Sequence, residues 1–267
     1  MKSSPTTLTT RRMVRRDAHD FYGDVLRVLT SADVPFTVGG AFALKHYAGV
    51  VRNTKDLDVF LRRADVPRAL RALTLRGYMT EDVFPHWLAK AYAGVFFVDF
   101  IHNSANGLCP VDDPWFEHAH PVTIFDVPAL LCPVEDVIWT KAFVMERERF
   151  DGADICHLIA ACGRTMDWHR LVARFGDHWR VLLGHLCSFT FVYPSERDAI
   201  PRWVLDHLLA RMDDERASEP TKVCNGTLLS REQYLVDVRE RHLADARLDH
   251  VDRADLARWT DAIGKIA

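Results

Sequence analysis

Three features are scarce in this chain, and each scarcity excludes a class of protein. No segment approaches the roughly 20 consecutive apolar residues of a membrane-spanning helix, and the amino-terminal residues contain no apolar export signal. The six cysteines form no C-x-x-C pair, and no ligand set has the spacing of a structural zinc site. The net charge of −3 excludes a globally basic nucleic-acid binder but leaves room for a local RNA-binding groove. We therefore expect a protein of the reducing cytoplasm with no membrane partner.

What the chain does contain is enough apolar material for a sizeable core. It has 267 residues, of which 48% are hydrophobic, and this length favours one or two domains. Strand-like and helix-like patterns alternate over residues 1–128, whereas helical periodicity prevails over residues 129–267. We predict an α+β protein with an N-terminal domain at 1–128, built on a mixed β-sheet flanked by helices, and an all-helical C-terminal domain at 129–267.

Apolar periodicity and turn residues give approximate bounds for the elements. In the N-terminal domain the predicted helices cover 12–31, 41–48 and 64–76. The predicted strands cover 35–38, 56–61, 78–83, 94–101 and 121–127. In the C-terminal domain the predicted helices cover 133–149, 152–163, 167–175, 178–191, 201–213, 230–244 and 252–264.

Two aspartates stand two positions apart at the start of a predicted strand. Asp56 and Asp58 would point to the same side of the sheet, because side chains alternate along a strand. Adjacent carboxylates repel each other unless a hard divalent cation such as Mg²⁺ lies between them. Asp99 interrupts a second, otherwise apolar strand, where an unpaired charge is unfavourable. If the two strands are neighbours, three carboxylates converge, enough for two metal ions and phosphoryl displacement; otherwise Asp99 would pair with an arginine.

A glycine pair precedes these aspartates at a predicted strand-to-helix turn. Gly39 and Gly40 would permit backbone angles that are closed to other residues. They would also let a phosphate approach the first amides of the helix. The turn is therefore a candidate triphosphate cradle, although any tight turn also favours glycine.

The glycine pair, the acidic pair and the third aspartate together resemble the signature of the DNA polymerase β-like nucleotidyltransferase superfamily. In this chain the acids of that signature are Asp56, Asp58 and Asp99. The segment RNTKDLDVF is similar to the R-x-[ST]-x-D-x-D form of antibiotic nucleotidyltransferases and AbiEii/MenT-type toxins. Arg52 and Thr54 occupy its first two places.

A later helical stretch is similar to the lysine-containing motif of the same families. Lys141 matches the lysine, and Asp151 and Asp154 fall on the distal acidic positions. Each has a structural alternative, because a lysine can lie along a helix surface and acidic residues favour a helix start. His86 and Lys90, which precede the strand of the third aspartate, are further candidates for lining the nucleotide or acceptor pocket.

The resemblance implies a nucleotidyltransferase domain that uses Mg²⁺, with Mn²⁺ as an alternative, to move a nucleoside monophosphate from a nucleoside triphosphate to an acceptor hydroxyl. It assigns catalysis and the binding of two metal ions to Asp56, Asp58 and Asp99. It assigns nucleotide binding to Gly39, Gly40, Arg52, Thr54 and Lys141.

The acceptor stays open at this point, because the family acts on small molecules, RNA and proteins. A toxin of a toxin–antitoxin pair that modifies tRNA would share the chemistry. A non-catalytic nucleotide-binding module and a metal-dependent hydrolase that releases free monophosphate are also compatible with these motifs.

Overall fold

The computed structural model describes residues 6–7, 16–52, 54, 56–214 and 221–261. This part of the chain forms two compact units, each with its own internal contacts. The predicted fold class is confirmed, since the first unit is a mixed sheet with flanking helices and the second is mainly helical. None of the described helices is long and apolar enough to cross a membrane.

The first unit ends at Pro133, and its described part contains eight strands and four α-helices. The strands are β1 (Thr6–Thr7), β2 (Thr37–Val38), β3 (Asp56–Phe60), β4 (Met79–Phe84), β5 (Leu88–Ala93), β6 (Phe96–Ile101), β7 (His120–Ile124) and β8 (Val127–Leu131). The α-helices are α1 (Arg16–Ser31), α2 (Gly40–Ala48), α3 (Val66–Arg76) and α4 (Asp113–Glu117). Helices α2 and α3 end at their predicted bounds, where Gly49 and Gly77 adopt the left-handed conformation.

These eight strands form one mixed sheet in the order β1-β7-β8-β2-β3-β6-β5-β4. Strands β3 and β6 are parallel neighbours near its centre, and β5 is antiparallel to β6. Leu57 and Val59 of β3 are fully buried, as are Val98 and Phe100 of β6. Because side chains alternate along a strand, the residues between them share the opposite face of the sheet.

The chain between the third aspartate and the second unit differs from its predicted form. The single strand predicted over 121–127 is a hairpin of β7 and β8. Its turn residues, Phe125 and Asp126, have φ values of 52° and 60°. Tight turns with positive φ usually contain glycine or asparagine. This turn contains neither, so the sequence does not indicate it. The domain boundary predicted after residue 128 falls inside β8, which pairs with β2 and β7; the contacts divide the chain after Pro133.

The second unit begins at Val134. Its α-helices are α5 (Val134–Ala142), α6 (Gly152–Cys162), α7 (Trp168–Phe175), α8 (Trp179–Val192), α9 (Arg202–Asp214), α10 (Leu235–Glu240) and α11 (Arg253–Asp261). Two short strands, β9 (Val223–Cys224) and β10 (Ala244–Asp245), form a parallel pair that the all-helical prediction lacks.

Two predicted helices of this unit are too long. The helix predicted over 133–149 ends at Ala142, because the chain then turns back and Met145 pairs with Phe150 in a β-bridge. Of the helix predicted over 230–244 only α10 is helical, since the chain extends into β10 at its end. The first residues predicted for α1 and the last predicted for α11 lie outside the described residues.

Candidate active site

The three predicted aspartates lie on one face of the sheet, on neighbouring strands. Asp56 and Asp58 alternate with buried residues of β3, and the parallel register sets Asp58 directly opposite Asp99 of β6. Residues that face each other on adjacent strands point to the same side of the sheet, with backbones about 4.8 Å apart. All three side chains are partly buried. The structure therefore brings together the acids that the two strand patterns single out.

Gly40 sets the start of α2 against the carboxylate of Asp58. The φ angle of Gly40 is +53°, and a Cβ atom at this position would lie 1.7 Å from Oδ2 of Asp58. The amide of Gly39 donates a hydrogen bond to the carbonyl oxygen of Asp58 at 3.0 Å. A Cβ atom on Gly39 would lie 2.5 Å from the ring of Phe60. Only glycine fits both positions, because the turn runs directly against β3.

The N-terminus of α2 has the properties of an anion site. Its N-cap residue, Gly39, has no side chain that could cap it, and the first amides of a helix have no partner within the helix. These amides carry the positive end of the helix dipole. The start of α2 therefore lies beside the acidic face, which is the face of the sheet that carries Asp56, Asp58 and Asp99. It can receive a phosphate group that a divalent cation joins to Asp58.

Lys90 is paired with the third aspartate. Its Nζ lies 2.6 Å from Oδ1 of Asp99 and 4.2 Å from the centre of the Phe97 ring. Burial raises the pKa of Asp99, Lys90 lowers it and the nearby carboxylate of Asp56 raises it again; the net direction is upward. Asp99 therefore pairs with a lysine of β5 and not with the arginine that the sequence analysis considers. The sequence patterns do not predict β5.

Thr54 contacts the first aspartate directly. Its hydroxyl donates to the carboxylate of Asp56 through a short hydrogen bond and lies 3.0 Å from the carbonyl oxygen of the same residue. The hydroxyl therefore orients this carboxylate, a role different from the nucleotide contact that the resemblance assigns to it. Arg52 is exposed in the same loop, where its nucleotide-binding role stays a prediction.

Tyr22 of α1 is a neighbour of this site that sequence reasoning misses. Its side chain is fully buried. Burial, and then the charges of Asp56 and Asp99, raise its pKa well above the ordinary value. The phenol therefore stays protonated at neutral pH. Its only sequence signal is its place in the apolar stripe of α1, which indicates burial but not proximity to the acids.

His86 belongs to the packed interior of the first unit. It is buried, its Nε2 lies 3.2 Å from the carbonyl oxygen of Ala105, and its ring packs edge-on against Phe84. Because a carbonyl oxygen only accepts, Nε2 carries the proton in this bond. These contacts explain the residue structurally, and its place in a substrate pocket stays a prediction.

The distal motif forms an ion-pair cluster inside the second unit. The Nζ of Lys141 lies 2.8 Å from a carboxylate oxygen of Asp151 and 2.8 Å from one of Asp154. Arg149 adds two hydrogen bonds to Asp151. Burial raises the pKa of Asp151, but the guanidinium and the ammonium outweigh it and hold the pKa below the ordinary value. The structure brings these predicted residues together and neutralises their charges.

The donor atoms on the acidic face suit a hard cation whose coordination the substrate completes. Carboxylate oxygens are ligands that Mg²⁺ prefers. Among the described residues, no group of three or more histidine, cysteine, aspartate or glutamate side chains is arranged to hold a metal ion. Mg²⁺ commonly uses one or two carboxylates together with substrate phosphates, so Asp56 and Asp58 fit this mode. Asp99 differs from them, because a lysine already holds one of its oxygens.

Comparisons with known proteins give one family and several distant structural likenesses. A family model described as "uncharacterised nucleotidyltransferase" matches residues 16–179. The solution structure of the antibiotic-resistance factor ANT(2'')-Ia is similar at 17% identity, over 64% of this chain and 98% of that chain, with a TM-score of 0.43. A nucleotidyltransferase-like protein from Paracoccidioides brasiliensis is similar at 13% identity, over 70% and 93% of the two chains, with a TM-score of 0.43. No curated protein matches.

Proposed function

Because the chain belongs to the family of uncharacterised nucleotidyltransferases and is therefore an enzyme of nucleotidyl transfer, we propose that it uses Mg²⁺ to move a nucleoside monophosphate from a nucleoside triphosphate to an acceptor hydroxyl. The observation that carries this proposal is the register of β3 and β6, which aligns Asp58 with Asp99. Further support comes from the close approach of Gly40 to Asp58, at the start of α2.

We assign the binding of the divalent ion to Asp56 and Asp58. When bound, the ion neutralises the triphosphate charge that builds up during transfer. The hydroxyl of Thr54 orients the carboxylate of Asp56, and the turn at Gly39–Gly40 presents backbone amides to the phosphates. Arg52 and Lys141 are proposed as further phosphate contacts, with the structural role of Lys141 as the competing assignment.

We assign the acceptance of the acceptor's proton to Asp99. The acceptor oxygen forms a bond to the α-phosphorus, the bond from that phosphorus to the bridging oxygen of the β-phosphate breaks, and pyrophosphate leaves. The hydroxyl proton passes to the Asp99 oxygen that does not contact Lys90. The upward shift in the pKa of Asp99 favours this acceptance, because a base of higher pKa takes a proton more readily.

The acceptor hydroxyl belongs to a small molecule, an RNA or a protein. A toxin that modifies tRNA is one case of the same chemistry. Growth arrest on expression, together with labelled tRNA, would identify that case, whereas labelled metabolites without growth arrest would identify a metabolic or resistance enzyme.

The test follows transfer of label from each of the four α-³²P nucleoside triphosphates to total RNA, to a metabolite extract and to the protein itself. We expect Asp58→Asn to reduce incorporation by at least about 10³-fold, the scale of losing a key charge-stabilising group. Asp20→Asn, at an exposed aspartate of α1, is the matched control and should transfer label at the wild-type rate. Equal incorporation by Asp58→Asn and wild type, or release of free monophosphate alone, would contradict the proposal.

A further inference from the structure

Lys90, Asp99 and Asp58 form a single row across three adjacent strands. The register pairs Lys90 of β5 with Asp99 of β6, and Asp99 with Asp58 of β3. Side chains at directly opposed positions share a face. The ammonium group of Lys90 therefore lies on the same face as the acids, on the side of Asp99 that is away from Asp58.

The ammonium is held in this row and is not a mobile surface charge. Only 19% of the Lys90 side chain is exposed. Its Nζ contacts Oδ1 of Asp99 at 2.6 Å and lies over the ring of Phe97, which faces Asp56 across the strand pair. A carboxylate and an aromatic face thus fix one cation beside the third acid.

We propose that the ammonium of Lys90 replaces the second divalent ion, so that the site works with a single metal ion at Asp56 and Asp58. This inference rests on the proposed function and makes it more specific. A second divalent ion at Asp99 would have to approach the held ammonium closely, and like charges at that distance repel.

Two further observations support a single metal ion. No set of three carboxylate, histidine or cysteine side chains among the described residues is arranged around a common metal position. Asp99 contacts a cation already, whereas the carboxylate of Asp56 accepts a hydrogen bond from a neutral hydroxyl, that of Thr54. A divalent ion therefore fits better beside Asp56 than beside Asp99.

The test counts Mn²⁺ ions bound to the full-length protein in complex with a nucleoside triphosphate analogue whose α,β-bridge is a methylene group. Electron paramagnetic resonance of free and bound Mn²⁺ gives the stoichiometry and detects coupling between two neighbouring ions. We expect one uncoupled ion per wild-type complex, and two coupled ions for Lys90→Met. Lys90→Arg, which keeps the charge, and Lys222→Met, at an exposed lysine of the second unit, should both bind one ion.

The outcomes separate this inference from the proposed function. Two coupled ions in the wild type, with label transfer intact, overturn the replacement by Lys90 but leave nucleotidyl transfer standing. One ion in both the wild type and a folded Lys90→Met variant overturns it as well. No bound ion and no label transfer in the wild type overturn both. Because the wild-type count is decisive alone, a Lys90→Met variant that does not fold leaves the inference testable.

Discussion

Both units of this protein contain a lysine that pairs with an aspartate at nearly the same distance, yet the pKa values of the two aspartates are shifted in opposite directions. Lys90 lies 2.6 Å from Asp99 in the first unit, and Lys141 lies 2.8 Å from Asp151 in the second. The pKa of Asp99 is raised, whereas that of Asp151 is lowered. Similar contact distances therefore do not give similar electrostatics.

The difference comes from the charges around each pair. Asp151 has two cations, since Arg149 joins Lys141, and together they outweigh the effect of burial. At Asp99 burial is the largest cause of the raised pKa, a single cation does not outweigh it, and the neighbouring carboxylate of Asp56 raises the pKa further. The charges of the second-unit cluster therefore keep Asp151 ionised, whereas the surroundings of Asp99 make its carboxyl group easier to protonate. A carboxyl group whose pKa is shifted upward by its surroundings is typical of functional sites.

The largest expected effect is on the free energy of unfolding, and it follows from removing the lysine of the second-unit ion-pair cluster. Lys141→Met would leave two buried carboxylates without their shared cation, and such a loss typically costs about 3–5 kcal/mol of unfolding free energy. Urea unfolding followed by circular dichroism measures it. Lys90→Met should cost less, about 1–3 kcal/mol, because it strands one carboxylate and that carboxylate reaches solvent.

This comparison also separates the two roles considered for Lys141. If its main role is to bind phosphate, Lys141→Met will keep wild-type stability and raise the KM for the nucleoside triphosphate. A large loss of stability with an unchanged KM would instead establish the structural role.

Gly40 gives the second effect, which is a loss of transfer beyond the loss of stability that a positive φ angle causes. Its positive φ and its approach to Asp58 mean that Gly40→Ala must displace that carboxylate. A displacement of about 1 Å can reduce catalysis by about 100-fold, and we expect a loss of kcat on that scale. Gly49→Ala is the matched control, because Gly49 also has positive φ but a Cβ atom there would meet nothing within 4 Å.

Gly49→Ala should therefore destabilise the protein by about 1–2 kcal/mol through backbone strain alone and transfer label at the wild-type rate. Equal losses of kcat in both variants would show that strain at α2, and not the position of the Asp58 carboxylate, accounts for the effect of Gly40→Ala.

Local sequence patterns predict the three aspartates of the acidic face, but they do not predict that Lys90 pairs with Asp99. The spacing of Asp56 and Asp58 and the apolar strand around Asp99 are visible in short segments. The partner of Asp99 depends on β5, whose buried and partly buried positions alternate only over residues 89–92. The strand also includes three alanines, which are weak strand formers. Gly94, with φ of +60°, closes the tight turn to β6 and thereby fixes Lys90 opposite Asp99.

Local sequence patterns also do not predict the ion-pair cluster of Lys141, Asp151 and Asp154, but for a different reason. Lys141 is on α5, while its partners are at and after the start of α6. The intervening chain leaves the helix after Ala142 and returns through the bridge between Met145 and Phe150. This reversal is a tertiary feature, so the sequence predicts one continuous helix there and leaves the partners of the lysine unassigned.

The pH dependence of stability gives a third, smaller effect. Because the folded-state pKa of Asp151 lies below its ordinary value of 3.8, the stabilisation from its ion pairs is complete above about pH 5 and is lost as the pH falls through the folded-state pKa. The slope for uptake of one proton is at most about 1.4 kcal/mol per pH unit. Asp151→Asn should remove this component from the urea-unfolding profile below pH 4, and an unchanged profile would show that the cluster does not depress this pKa.

Thr54 gives the smallest expected effect and tests whether the acidic face needs orientation as well as charge. Thr54→Val removes the hydroxyl that donates to Asp56 with little change in volume. Groups that orient metal ligands typically affect metal affinity by about 10-fold or more, so we expect the half-saturating Mg²⁺ concentration to rise by about 10-fold. Thr54→Ser keeps the donor and should stay near wild type. If Thr54 instead contacts the nucleotide, as the sequence resemblance implies, the KM for the nucleoside triphosphate will rise while the Mg²⁺ dependence stays unchanged.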